Sequence, residues 1–445
     1  MRATDDLSLN LARKSRQRAV GLLTRREDSS VSMHADLRAL ATEEGLESSA
    51  YSIVRSLVLG VTKYRNTIDF VLGRVLKRGH ARISLRTWNA LRLQVYETRW
   101  LGETPETVGQ YYPSDPPKPK DVLDRVRGFD LESAIGDLTQ VEQVSILYSH
   151  PTFMVNTLFE SLPESEALRL MESNNAPRTY YLRTNLLKTT IDDVLPQLET
   201  LGVSVRQDAD LPGLFKVVDG VSTVVLSDLF RNGFVLLQDK ASVLVAKILH
   251  PRPGDFVWDA CAAPGMKTQY LWESMNGEGR LVATDASFTR VRNAAGRAPL
   301  LGCAGVGWVQ GDASRSPIAD AHRILIDAPC TSTGILRSHP TFKWRLNKQT
   351  LFDIMSIQNK ILDGIMSACS DRSGTEIVYA TCSLLPHEGE SQIDSMLSRH
   401  DVELLEMGGM GSPCYPGFEC SSKARRFFPH THDTNGFFVC RFRTE

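Results

Sequence analysis

The first 260 residues contain no cysteine; all eight lie between Cys261 and Cys440, without the spacing of a disulfide framework. No apolar run is long enough to span a bilayer. The opening Met1-Arg2-Ala3-Thr4-Asp5-Asp6 is polar and acidic where a secretory leader needs its apolar core. The expectation is therefore a protein of the reducing cytoplasm, not bound to membrane, whose thiols are core filler or chemistry. Net charge is also lacking: the chain totals −1, so its overall balance names no partner. What is present is ordinary for globular protein, 42% hydrophobic and 23% charged residues in a 445-residue chain long enough for two or three domains.

Glycine is scarce where a nucleotide loop needs it. The stretch Phe256-Val257-Trp258-Asp259-Ala260-Cys261-Ala262-Ala263-Pro264-Gly265-Met266-Lys267-Thr268 reads as strand, tight turn and helix. A P-loop requires Gly-Lys-Ser/Thr in sequence, but Met266 separates Gly265 from Lys267, and Ala260 stands where the earlier glycine belongs. The dinucleotide fingerprint needs three glycines, and this turn has one. Small residues before a helix still allow a ligand close to the backbone, facing the helix amides. Taken alone, the turn reads equally as an ordinary βα connection.

Charge, balanced overall, is not evenly spread. From Tyr51 to Trp100 there are ten Lys and Arg against two Asp and Glu, an excess of +8 that the remainder offsets with −9. Residues 8 to about 112 show helical periodicity, with Leu57, Val58, Val61, Ile68, Val71 and Leu72 on one face. Arg74, Lys77, Arg78, Arg82, Arg86 and Arg92 read either as a solvated helix surface or, given the missing acids, as a phosphate-binding face. Residues 113–120, rich in proline, are expected as a stiff extended spacer, with helix resuming at Val122. A small α+β module follows, with strands at 179–184, 203–205 and 214–218 and a helix at Ile191–Leu201. Beyond Gly254, strands at 256–258, 280–284, 306–309, 323–326 and 376–380 alternate with helices, which predicts a parallel, doubly wound α/β sheet. Asn435-Gly436 introduces a final aromatic strand at 437–442.

In such sheets ligands lie at the carboxyl ends of strands. Asp259, Asp285, Asp312 and Asp327 each fall at or just past such an end. Asp285 lies 26 residues beyond Asp259, near where an acid takes ribose hydroxyls, and Asp312 is placed to accept from an exocyclic amine. A lone acid there is usually a cap or turn residue; four in one sheet favour a nucleoside site, and an acidic rim suits a cationic or neutral cofactor. Cys330, in Ile326-Asp327-Ala328-Pro329-Cys330, and Cys382, in Tyr379-Ala380-Thr381-Cys382-Ser383, bring thiols to the same edge. A single cysteine beside a strand is more often a small buried hydrophobe. Cys414, Cys420, His430 and His432 match no common zinc spacing, and no metal is expected.

These motifs together are similar to the Sun/RsmB-type RNA (cytosine-5) methyltransferase family. The resemblance rests on Asp259 to Gly265, Asp327-Ala328-Pro329-Cys330, Thr381-Cys382-Ser383, His339-Pro340 with Lys343-Trp344, and Asn435-Gly436-Phe437-Phe438. It extends more weakly to Ser149-His150-Pro151 and Leu182-Arg183-Thr184-Asn185, and the basic helical N-terminus resembles the family's NusB-like domain. Met266 departs from the pattern, where many members carry a second glycine; altered packing is expected there. The resemblance implies a helical NusB-like RNA-binding domain at 1–145, an α+β RNA-recognition module at 146–235 and a Rossmann-like methyltransferase domain at 236–445. It implies S-adenosylmethionine against Cys261, Ala262, Ala263, Pro264, Gly265, Met266 and Lys267, with ribose on Asp285, adenine near Asp312, and Asp327 meeting cofactor and target base. The partner implied is RNA, ribosomal before transfer RNA, bound by a monomer. A non-catalytic assembly factor retaining the sheet is the rival from another class.

The chemistry agrees. Carbon 5 of cytosine needs a thiolate at carbon 6 before it can attack a methyl group, and a free cysteine is only a few per cent ionised near neutrality. The acidic rim raises that pKa further, so a nearby lysine or the sulfonium must offset it. A protonated Asp327 is expected as the donor at N3. Spacing does not decide which thiol attacks. DNA cytosine-5 methyltransferases use the Pro-Cys thiol, here Cys330. The resemblance assigns attack to Cys382 and product release to Cys330.

Overall fold

The computed structural model describes residues 2–25, 33–76, 83–112, 119–318, 320–370 and 372–445. The chain divides into a first unit of Met1–Glu160 with Ser338–Arg345, and a second of Ser161–Arg337 with Leu346–Glu445.

The first unit is helical. Its apolar stripes close on one core that buries Leu57, Val58, Val61, Ile68, Val71, Leu72, Leu91, Leu93 and Val95. Gly60 carries no Cβ because the Tyr96 ring occupies its place; an added methyl would sit 2.0 Å from the ring. Glu97 lies buried between Arg16 Nε at 2.8 Å and Tyr112 Oη at 2.7 Å. Arg92 is not part of an outer basic face: it is buried, and its Nε and Nη2 each donate to Asp69 at 2.7 Å. Arg74 and Arg86 are exposed, whereas Lys77, Arg78 and Arg82 lie outside the described residues. The spacer at 113–118 also lies outside them, but Pro119 and Lys120 are helical, in Pro119–Arg127. The expected break fails there because proline in a first helical turn lacks only an amide the helix would not use.

The second unit holds two sheets. β1 (Tyr180–Thr184), β2 (Ser204–Gln207), β3 (Leu214–Asp219) and β4 (Val235–Leu237) form an antiparallel sheet in the order β2-β3-β1-β4, with the helix Ile191–Thr200. The three-residue β4 is too short to show a period and was not expected.

The larger sheet contains β5 (Phe256–Asp259), β6 (Arg280–Asp285), β7 (Gly307–Gln310), β8 (Arg323–Asp327), β9 (Glu376–Thr381), β10 (Val402–Leu404), β11 (Ser412–Pro413), β12 (Arg425–Phe427) and β13 (Phe437–Thr444). Its order is β11-β12-β13-β9-β8-β5-β6-β7, with β10 on β13. β5 to β9 are parallel neighbours, as expected; β13 runs antiparallel to β9 and carries further antiparallel strands outward. Both faces are buried: Val257, Leu325, Val378 and Ala380 pack into one core, and Trp258, Ile324, Ile326 and Tyr379 into another. Strand order reverses between β5 and β8, which opens a crevice at their carboxyl ends.

Candidate active site

Asp259, Asp285 and Asp327 are the last residues of β5, β6 and β8, and Cys382 follows the last residue of β9. Asp312 lies two residues past β7, exposed, where its Oδ1 accepts from Ser314 N at 3.0 Å. The four acids are not equivalent. Asp259 is fully buried, its Oδ2 accepting from Thr268 Oγ1 at 2.7 Å, so it faces the protein and leaves the rim to the other three.

The turn after β5 is pinned at intervals. Ala260 N donates to Leu325 O at 2.9 Å, Ala262 N to Thr284 O at 2.8 Å and Gly265 N to Ala262 O at 2.8 Å. Gly265 has φ +97°, and a Cβ there would come within 2.9 Å of the Trp308 ring, so conformation and space both require glycine. Met266 packs against the core and its carbonyl accepts from Gln238 Nε2 at 3.3 Å. The helix Met266–Ser274 is tied to β1 by the motif expected only weakly from sequence. Arg183 donates to Gln238 at 2.9 Å, to Glu273 at 2.7 Å and to Gln269, while Gln269 donates to Asn185 at 3.0 Å.

Lys267 Nζ lies 2.7 Å from Asp327 Oδ2 and 5.1 Å from the Phe437 ring centroid. Burial opposes its charge, but Asp327, with Cys382 and Asp259, outweighs that and holds its pKa above the usual lysine value. Cys330 and Cys382 meet with Sγ atoms 3.1 Å apart, and Ser332 Oγ is 3.6 Å from Cys382. The thiols diverge. The Cys330 hydrogen bond, helped by Ser332 and Lys267, lowers Cys382 against burial and Asp327. The same contact, then burial and Glu388, raises Cys330. Cys261 is pushed up by burial and by Asp259, Asp327 and Asp285, which leaves it a neutral thiol.

Other expected residues lie elsewhere. Lys343 is buried in the helical unit, donating to Ser149 O at 2.9 Å, and Trp344 Nε1 donates to Thr62 O at 2.6 Å, so two motifs of the resemblance meet there. Cys414 and Cys420 are core residues, while His430 pairs with Glu166 at 2.9 Å and His432 Nδ1 accepts from Phe428 N at 2.8 Å. Sequence reasoning missed Glu388, Ser332 and Trp308, since none stands in a motif-like setting and their roles come from contacts distant in sequence.

The residues present fit S-adenosylmethionine. Ala260, Ala262 and Ala263 are small and buried, Gly265 leaves no space for a side chain, and the buried Asp259 Oδ1 lacks a hydrogen-bond partner directly behind the turn. Asp285 spends Oδ1 on Ser287 N at 3.0 Å and Oδ2 on Arg290 Nη1 at 3.1 Å, with carboxylate lone pairs left for hydroxyls. An acidic rim suits a sulfonium.

Residues 246–443 match the family model described as 16S rRNA methyltransferase RsmB/F, and 150–222 match the RsmF/B-like ferredoxin-like domain. A 28S rRNA (cytosine-C(5))-methyltransferase of Mus musculus is 29% identical over 315 residues, covering 68% of this chain and 40% of the relative. The chain thus spans less than half of that relative's length. A probable ribosomal RNA small subunit methyltransferase B of Synechocystis is 26% identical over 401 residues, covering 87% of this chain and 90% of the relative. The crystal structure of PH0851 shares the fold, with TM-score 0.79 at 23% identity over 97% of this chain and 98% of that one. Among the described residues no helix is long and apolar enough to cross a membrane. Matched in its catalytic sheet and again in its ferredoxin-like module, the chain belongs to the S-adenosylmethionine-dependent RsmB/F family of rRNA cytosine-C5 methyltransferases.

Proposed function

We propose that this chain methylates carbon 5 of one cytosine in RNA, ribosomal RNA before transfer RNA, through a covalent adduct at Cys382. The observation that carries the reading is the pair of thiols 3.1 Å apart at neighbouring strand ends, beside the Lys267–Asp327 ion pair. Attack of the Cys382 thiolate on carbon 6 moves ring electrons towards carbon 5 and N3, and a donor at N3 stabilises that build-up. The sequence assigned this donor to a protonated Asp327. With Lys267 Nζ 2.7 Å from Asp327 Oδ2, the ammonium is the donor at hand, and we assign it the role. Asp327 then orients Lys267 and accepts from the exocyclic amine of the base.

S-adenosylmethionine, held by residues Cys261 to Lys267 with Asp285 and Asp312 as acceptors for ribose and adenine, supplies an electrophilic methyl group when bound. The protein must afterwards remove the carbon-5 proton and release the base. Cys330 is suited to that step. Once Cys382 is a thioether, the first cause of the raised Cys330 pKa is gone, so Cys330 releases its own proton to solvent. The resulting thiolate takes the carbon-5 proton as the bond from Cys382 to carbon 6 breaks and its electron pair returns to Cys382. The target base must be single-stranded or flipped out to reach the crevice.

In the same reading residues 1–145 form a NusB-like RNA-binding domain, 146–235 an RNA-recognition module and 236–445 the catalytic domain of a cytoplasmic monomer. The exposed Arg74 and Arg86 support the first assignment, and eight unpaired cysteines are in keeping with a reducing compartment.

The test is a denaturing gel of two variants incubated with S-adenosylmethionine and RNA. Cys382→Ala should give neither methyl transfer nor adduct. Cys330→Ala should attack, methylate and stall, leaving a protein–RNA complex that survives denaturation and requires both cofactor and RNA. An adduct from Cys382→Ala and none from Cys330→Ala would reverse the assignment. Loss of stability in both, with no trapped RNA, would leave the thiols as core filler.

A further inference from the structure

Glu388 is fully buried, and the mechanism above does not use it. Its Oε1 accepts from Thr331 N at 2.7 Å and from Gln358 Nε2 at 3.2 Å; its Oε2 accepts from the hydroxyls of Thr331 and Ser383. Thr331 follows Cys330, and Ser383 follows Cys382. One carboxylate therefore holds the residue after each thiol. Gln358 completes the frame by donating to Pro329 O, just before Cys330, at 2.8 Å. The Glu388 carbonyl in turn accepts from Tyr379 Oη at 2.9 Å, which fixes the acid to β9.

Resting on the Cys382 reading, we propose that Glu388 is the positioning residue that holds the two thiols in contact and directs attack to Cys382. Two effects act together. The four hydrogen bonds set the separation of the loops after β8 and β9, joined there also by Gly334 N donating to Cys382 O at 2.8 Å. The negative charge bears more on Cys330: two of the four bonds come from Thr331, beside Cys330, and one from Ser383, beside Cys382. Glu388 acts on the Cys330 thiol, while Cys382 meets Lys267 and Ser332. A carboxylate so placed keeps the shared proton on Cys330 and leaves the thiolate on Cys382. Arg426, buried with Glu390, braces the second loop through Ser383 O at 3.0 Å and does not contact the first.

Glu388→Gln separates charge from geometry. Its amide oxygen keeps the two obligate donors, Thr331 N and Gln358 Nε2, and its amide NH2 donates to the Thr331 and Ser383 hydroxyls, which can reverse. The readout is iodoacetamide alkylation of the full-length protein across pH, mapped to each cysteine by mass spectrometry, with methyl transfer and unfolding midpoint alongside. In the unaltered protein Cys382 should react first. Glu388→Gln should shift the Cys382-to-Cys330 ratio towards Cys330 by about tenfold, one unit of relative pKa, at an unchanged midpoint. Thr331→Val, which removes one donor and no charge, should slow methyl transfer while leaving that ratio in favour of Cys382. An unchanged ratio and pH profile in a folded Glu388→Gln would overturn the proposal. If that variant does not fold, unimpaired transfer in Thr331→Val would overturn it. Failure of the underlying reading looks different: Cys382→Ala would still methylate, whatever the Glu388 variants do.

Discussion

Asp259 offers a prediction whose size follows from its surroundings. Its carboxyl is fully buried, with one oxygen on Thr268 Oγ1 at 2.7 Å and the other without a partner. Burial pushes its pKa from 3.8 up to about 7; Thr268 and Lys267 pull it down, and Asp327 and Asp285 push it further up. Between those two values the folded protein holds a proton that the unfolded chain has released. Stability therefore falls as pH rises through that window and levels off above the folded value. Asp259→Asn removes the titration while keeping shape, and both forms place a donor where no acceptor waits. From about pH 5.5 to the folded value, some 1.5 units at 1.36 kcal/mol each, the aspartate form should lose about 2 kcal/mol relative to the asparagine form. Urea unfolding of both proteins at about pH 5.5 and about pH 8.5 measures the difference, with every other titrating group cancelling between them. Parallel stability curves would refute the reasoning and mean that water or a counter-charge reaches Asp259.

Asp285→Ala should weaken S-adenosylmethionine binding by about 1.5–3 kcal/mol, the loss of a charged hydrogen bond; calorimetry on the folded variant checks it, and unchanged affinity would remove Asp285 from the pocket. Arg183→Met should destabilise the second unit by about 3–5 kcal/mol, because Glu273 loses its buried cation; an unshifted unfolding midpoint would count against it. Neutralising Arg74, Lys77, Arg78, Arg82 and Arg86 together should flatten the salt dependence of RNA affinity, and an identical slope would return them to a solvated surface.

Legibility in the sequence followed the range of the interactions involved. β5, β6, β8 and β9 could be placed because a strand buried on both faces writes an apolar run, and at β5, β6 and β8 an acid marks where the run stops. β10, β11 and β12 are two or three residues long and paired at the margin, and no local pattern distinguishes them from loop. Arg92 shows the opposite failure. Its run of basic neighbours suggested solvent or phosphate, yet Asp69, on the neighbouring helix, makes its burial tolerable. A charge count reads composition along the chain, and an ion pair 23 residues apart is invisible to it.

The thiols carry this argument furthest. Cys261, Cys330 and Cys382 share one sheet edge, and burial penalises the thiolate of each. What separates them is the charge and the donors each meets. Cys261 faces three carboxylates and stays neutral. Cys382 has the hydrogen bond of its neighbour, a hydroxyl and an ammonium, and it alone of the three is lowered. Lys267 reaches it from the first turn of the helix after β5, Ser332 from the loop after β8, and the backbone that sets its own position from β9. Each sequence motif thus supplies one part of the surroundings of Cys382, which come together only where the three strands end. A substitution at any of the three ends should therefore change the reactivity of Cys382 before it changes the fold.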